Sequence, residues 1–132
     1  CACLVGSEMC IRDSPKIPAN IEQLFTPSET RPNYIFQTFL YASIMCRQQT
    51  LKVAPALLYI HRAASDSYSP VIEMGEPRQP KIPVNNFTFF EDEFRKRLQT
   101  LLEEIFSENE PFTQTEDIKK CSYCDFKAIC KR

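Results

Sequence analysis

The stretch PNYIFQTFLYASIMCRQQ, residues 32–49, decides how this chain is read. Pro32 suits the first turn of a helix, where a missing N–H loses no partner and a fixed φ is already helical. Ile35, Phe36, Phe39, Leu40, Ile44 and Met45 place apolar side chains around most of the circumference, so the pattern predicts a largely buried helix from Pro32 to Gln49. Two polar tips interrupt it. Gln37 and Tyr41 stand at i and i+4 and project from one face.

Beyond this helix, residues 51–62 lean toward a strand, with continuous apolar character from Ala56 to Ile60 that predicts cover on both faces. A turn at Ala64–Ser67 and a second short strand near Pro70–Met74 complete an edge hairpin. Gly75 to Pro83 holds three prolines and reads as a connector. Thr88 and Glu91 have the spacing of a capping box and open a long helix to about Ser107. It carries Phe94, Leu98, Leu101, Leu102 and Ile105 on one stripe, and the mixed charges from Glu91 to Arg97 read as its solvated side. Before the central helix, Pro15 to Pro18 is extended and Ile21–Phe25 forms a short helical turn. The order of helix, strand, strand and helix implies an α/β sheet with helical cover.

The chain closes on Cys121, Cys124 and Cys130, a C-x2-C pair followed by a third cysteine on a predicted turn of helix from Phe126 to Cys130. Thiolates bind soft or borderline metals, and C-x2-C lets two sulfurs reach one centre from a tight turn. These three are therefore candidate ligands of an iron–sulfur or zinc site. Such sites take four protein ligands as a rule. Cys46 shares a face with Phe39 and Ala42, which favours a small core residue, and His61 at the end of an apolar strand reads as structural.

At 132 residues the chain is one domain or part of one. Hydrophobic residues make up 43% and charged residues 25%, the balance of an ordinary globular protein. Its apolar segments fall far short of the roughly 18 residues that span a bilayer, and no basic region followed by an apolar run marks a signal peptide. A net charge of −1 leaves nucleic acid open, because a basic groove can sit on a neutral protein.

Residues 3–14 resemble the translation of a transposase adapter used in sequencing libraries, one frame of which reads Leu-Val-Gly-Ser-Glu-Met-Cys-Ile-Arg-Asp, as Leu4 to Asp13 do. The resemblance implies that residues 1–14 are adapter-derived. Such scars stand outside fold reasoning, so Cys1, Cys3 and Cys10 are not counted as ligands. Setting aside Glu8, Arg12 and Asp13 leaves 15 basic and 15 acidic residues from Pro15 onward. Residues 15–132 are then expected to be the C-terminal part of one domain, with a metal-binding tail at 119–132.

With Gln37 and Tyr41 as a Q-x3-Y motif, a following strand, a long amphipathic helix and the terminal C-x2-C-x5-C, the stretch from Pro15 to Arg132 resembles the C-terminal part of the RecB-type nucleases of the PD-(D/E)XK superfamily. It is most similar to the iron–sulfur nuclease domain of AddB-type bacterial helicase–nuclease subunits. The resemblance implies an incomplete PD-(D/E)XK fold of helix, strand, strand and helix plus a cysteine-rich metal knot. It implies a cytoplasmic DNA exonuclease, Mg²⁺-dependent when intact, that processes double-strand breaks for recombinational repair beside a helicase–nuclease partner subunit. Gln37 and Tyr41 would line the active-site groove. Cys121, Cys124 and Cys130 would hold a 4Fe–4S cluster, in preference to zinc, as a structural staple whose fourth cysteine lies upstream.

The family's metal-binding Asp and its (D/E)-x-Lys precede the Q-x3-Y helix, which places them before Pro15 and implies that this sequence alone is inactive. Asp117-Ile118-Lys119 has the spacing but lies in a polar lead-in to the cysteines, so it reads as solvated charge. Arg31, Arg47 and Arg62 are candidates for a DNA path, although scattered arginines are ordinary surface. Two alternatives remain: a stand-alone nuclease of the CRISPR-adaptation type, and a non-catalytic metal-stapled DNA-binding module.

Overall fold

The computed structural model describes residues 16–28, 31–48, 52–109, 111, 113–116 and 118–131. Two units divide the chain, one ending at Leu102 and the other beginning at Glu103. In order, the elements are α1 (Glu22–Phe25), α2 (Asn33–Gln48), a 3₁₀ turn (Ile60–Arg62), β1 (Glu73–Met74), β2 (Ile82–Pro83), α3 (Thr88–Ile105), α4 (Ile118–Ser122) and α5 (Lys127–Cys130). The adapter-like residues 1–14, with Cys1, Cys3 and Cys10, lie outside the described residues.

In the first unit, α2 forms where the periodicity places it, directly after Pro32. It is not buried all round. Ile35 and Phe39 are buried with Ala42 and Ser43 on one side, whereas Tyr34, Tyr41, Ile44 and Met45 are exposed on the opposite one. The apolar circumference overstated the cover because burial depends on what packs against each face, and only one face of α2 meets the core.

Aromatic packing builds that core. Phe25 from α1, Phe36 and Phe39 from α2, and Phe87 and Phe94 around the start of α3 stack with ring centroids 5.0 to 6.1 Å apart, mostly edge-on. Tilted and T-shaped contacts of this kind contribute about 0.5–1.5 kcal/mol per pair beyond the area they bury. Of the α3 stripe, Phe94 is fully buried and Leu98 packs against the core, but Leu102 and Ile105 are exposed. The stripe runs on past the end of this unit's core.

Extended backbone covers the other flank. Ala56 bridges antiparallel to Val71, supported by Leu57 N–H to Pro70 O at 2.7 Å and Ile72 N–H to Pro55 O at 3.2 Å. Of the predicted hairpin only this isolated bridge forms among the described residues, and the end of its first arm is a 3₁₀ turn rather than strand. That extended arm is buried on one face only: Pro55, Leu57 and Tyr59 are buried while Leu58 and Ile60 are 60% and 61% exposed. A continuous apolar run cannot encode which face is covered, and here the side chains alternate as the pleat requires.

The end of the proline-rich connector also proves to be strand. β2 pairs antiparallel with β1 in the register Glu73 to Pro83 and Met74 to Ile82, and Val84 N–H continues the ladder to Ile72 O at 2.8 Å. Pro83 is tolerated because an edge strand needs no outward donor. The turn between them is held by Lys81, whose Nζ donates to Gly75 O and Glu76 O at 2.9 and 2.6 Å.

At the start of α3 the residue that accepts from the Thr88 N–H is Asn86, through Oδ1 at 3.2 Å. Arg97 ties this helix to α1, reaching Glu22 at 3.7 Å and Glu93 at 3.2 Å. In the second unit, α4 and α5 flank the turn that carries Cys124. Among the described residues no helix is long and apolar enough to cross a membrane.

Candidate functional site

Gln37 and Tyr41 occupy successive turns of α2 on its exposed face, and Gln37 Nε2 donates to the Tyr41 hydroxyl at 3.1 Å. Helical spacing puts Tyr34, Ile44 and Met45 on the same face, each 40% to 47% exposed. The pair thus presents a preoriented amide and phenol from a helix whose other face is anchored in the aromatic core. Side chains held this way can touch a ligand backbone with little further ordering.

The three arginines are dispersed. Arg31 sits at the start of α2, with its guanidinium 5.4 Å from the Phe36 ring centroid and Nε donating to Asn33 Oδ1 at 2.8 Å. Arg47 is exposed near the other end of the helix, and Arg62 is exposed beside a cleft in the loop after the extended segment.

Cys46 behaves as a core residue. It packs against the buried cluster, and burial pushes its thiol above the ordinary value, with the Glu91 carboxylate adding to the rise and a hydrogen bond with Thr88 opposing it. The side chain of His61 lies outside the described residues.

In the tail, Cys121 lies near the last turn of α4, and the Cys124 N–H bonds to Cys121 O at 3.2 Å, closing the C-x2-C turn. Cys130 ends α5, where its N–H reaches Phe126 O at 3.2 Å and its carbonyl accepts from Gln114 Nε2 at 3.1 Å. All three residues are half-buried thiols outside any disulfide. The donor chemistry suits a soft or borderline metal. Among the described residues, however, no three His, Cys, Asp or Glu side chains come together around one point.

Asp117 lies outside the described residues. A second acidic-x-Lys, Asp125-Phe126-Lys127, is overshadowed in the sequence by the cysteines on either side of it, and it runs from the turn before α5 into its first residue rather than along a strand. A carboxylate pair for metal-assisted hydrolysis must be fixed by rigid structure beside the scissile phosphate, which an exposed turn does not provide.

Along the chain, the helix with the outward Gln–Tyr pair is followed by a small antiparallel sheet and then by a long helix. The model of the PD-(D/E)XK nuclease superfamily matches residues 22–131, and the chain belongs to that superfamily. The mixed helix and two-stranded sheet agree with part of that fold, and membership implies DNA as the substrate. Searches of curated proteins and of solved structures each found no match.

Proposed function

We propose that this chain is the C-terminal part of a Mg²⁺-dependent DNA nuclease domain from an AddB-type helicase–nuclease subunit that processes double-strand breaks. The observation that carries the reading is the Gln37–Tyr41 pair on the open face of α2, within a chain of the PD-(D/E)XK superfamily. On this reading Gln37 and Tyr41 line the groove and contact the DNA backbone. The carboxylates and lysine of the catalytic motif come from residues outside this sequence, so the chain as given binds DNA without cutting it. In the intact enzyme Mg²⁺ would supply the Lewis acid for phosphodiester hydrolysis.

Cys121, Cys124 and Cys130 are proposed as three thiolate ligands of a structural cluster, 4Fe–4S rather than zinc. The support is their donor type, the closed C-x2-C turn and the helical turn that ends in Cys130. The cluster would pin the tail and take no part in cleavage.

The test is the gene that encodes this chain, read upstream of Pro15 and expressed in full. A strand ending in acidic-x-Lys before the Q-x3-Y helix, and Mg²⁺-dependent degradation of linear DNA by the product, are expected. A full-length product with no such strand and no cleavage would favour a non-catalytic binding module. A short complete domain without helicase sequence would favour the CRISPR-adaptation type. Anaerobic purification should give a brown protein with broad visible absorbance, and a colourless protein with stoichiometric zinc would overturn the cluster assignment.

A further inference from the structure

We propose that the cleft beside the loop from Tyr59 to Glu73 is a subsite for one phosphodiester unit of a DNA single strand, gripped by Arg62. The proposal rests on the reading of this chain as part of a DNA nuclease, and it adds a binding position outside the Gln37–Tyr41 pair. The cleft measures about 260 Å³, just under the ~300 Å³ at which pockets begin to hold drug-sized ligands. It therefore suits a single small unit of a longer chain.

Its chemistry is divided. The floor is apolar, formed by the buried side chains of Ile35, Leu57 and Ile72, while Arg62, Ser65 and Ser67 make a polar rim. Arginine is the side chain best shaped for phosphate, since its planar fork donates two parallel hydrogen bonds. The Ser65 and Ser67 hydroxyls already converge, 3.1 Å apart.

The walls are aromatic and fixed. The Tyr68 hydroxyl donates to Leu57 O and accepts from Tyr59 N–H, both at 2.7 Å, which locks the ring across the extended segment. Little ordering remains to be done when a ligand enters. Aromatic faces beside a cation are the means by which single strands are held without regard to sequence.

The cleft and the motif pair share helix α2. Ile35 lines the cleft from the core-facing side of α2, the helix whose exposed side carries Gln37 and Tyr41. Glu73 also lines it and sets a limit, because its carboxylate repels phosphate and weakens the grip that Arg62 supplies.

The experiment is fluorescence anisotropy of the full chain with a labelled oligothymidylate of about 12 nucleotides, within the ~4–16 site-size range of single-strand binders, in EDTA over a series of KCl concentrations. Arg62→Ala should weaken binding roughly tenfold and flatten the log–log salt slope by about 0.7, the change expected when one phosphate of a single strand is no longer neutralised. Arg62→Lys should keep the slope, Glu73→Gln should tighten binding, and Lys96→Ala on the outer side of α3 should change neither quantity. Circular dichroism of each variant should match the parent, since all three positions are exposed. If Arg62→Ala keeps affinity and slope while Tyr41→Phe weakens binding, the cleft proposal falls and the reading of the motif face stands. An equal loss in Lys96→Ala would overturn it as well, and a parent chain that binds no oligonucleotide would overturn both.

Discussion

Gln37 donates from Nε2 to the Tyr41 hydroxyl at 3.1 Å, one turn apart on the exposed face of α2. Opposite this pair, Phe39 is fully buried and stacks on Phe87 at 5.0 Å. One helix therefore holds a rigid anchor and an open polar face back to back. A pair that served folding would be expected inside the core, where the hydrogen bond would be shielded and worth more. Its exposure predicts a separation of its role from stability.

That separation is measurable. Gln37→Ala and Tyr41→Phe should leave thermal stability within about 0.5 kcal/mol of the parent, as surface changes do. If the pair contacts phosphate, each bond removed from a charged group is worth about 1.5–3 kcal/mol, so oligonucleotide affinity should fall roughly tenfold or more. Variants that melt early and bind normally would assign the pair to folding.

Phe94 and Phe89 lie on the same helix with opposite expectations. Phe94 is fully buried among Phe25, Phe36, Phe39 and Phe87, whereas Phe89 is 83% exposed. Phe94→Ala should lose about 3–5 kcal/mol to transfer and cavity terms, enough to unfold a marginally stable unit. Phe89→Ala should be nearly silent in the same chemical denaturation series.

How much of this was legible in the sequence follows from what each signal encodes. The 3.6-residue period of α2 and α3 fixed both helices, and hydrogen-bonding type with i, i+4 spacing fixed the common face of Gln37 and Tyr41. Exposure of Ile44, Met45, Leu58 and Ile60 was not legible. Their chemistry matches that of buried neighbours, and only the packing of other elements distinguishes them. β2 was hidden because a two-residue strand has no period and Pro83 argues against it. For Cys121, Cys124 and Cys130, type and spacing specify the local turns, but spacing cannot state whether three sulfurs meet.

Gly75 is a position where backbone freedom matters. Its φ of 152° lies outside the range that side chains favour, and a Cβ there would stand 3.3 Å from Pro80 O. Its N–H also bonds to Pro18 O at 3.0 Å, tying the N-terminal segment to the β1–β2 turn. Gly75→Ala should destabilise by about 1–3 kcal/mol through backbone strain. In hydrogen exchange the Met74 and Val84 amides should lose protection first. A variant with unchanged melting would show that the turn relaxes freely.

The Tyr68 hydroxyl bridges Leu57 O and Tyr59 N–H across the loop that follows the extended segment. Tyr68→Phe removes both bonds and leaves a part-buried donor and acceptor in need of water, at about 1–3 kcal/mol. The loss should be local, with faster exchange of the Tyr59 amide, while the aromatic rings around Phe94 keep their chemical shifts. Uniform loss of protection would mean that the loop and core unfold as one unit.

Cys46 links the end of α2 to the start of α3, and its titration gives a pH prediction with a definite sign. Burial is the main reason its thiol is raised, Glu91 adds to the rise and Thr88 offsets part of it. A raised value means that the folded chain resists ionisation that the unfolded chain accepts, so the unfolded state sheds its proton first as pH rises. The contribution is fully present below the ordinary thiol range, about pH 8.5, and is lost as pH climbs toward the folded-state value. Cys46→Ala should therefore flatten the alkaline decline in stability, at the expense of a small cavity. Glu91→Gln should bring the thiol down toward its ordinary value and speed its alkylation by iodoacetamide at mildly alkaline pH, since the thiolate is the reacting form. Alkylation of Cys46 at the same rate in Glu91→Gln and in the parent would remove the carboxylate from the explanation and leave burial alone.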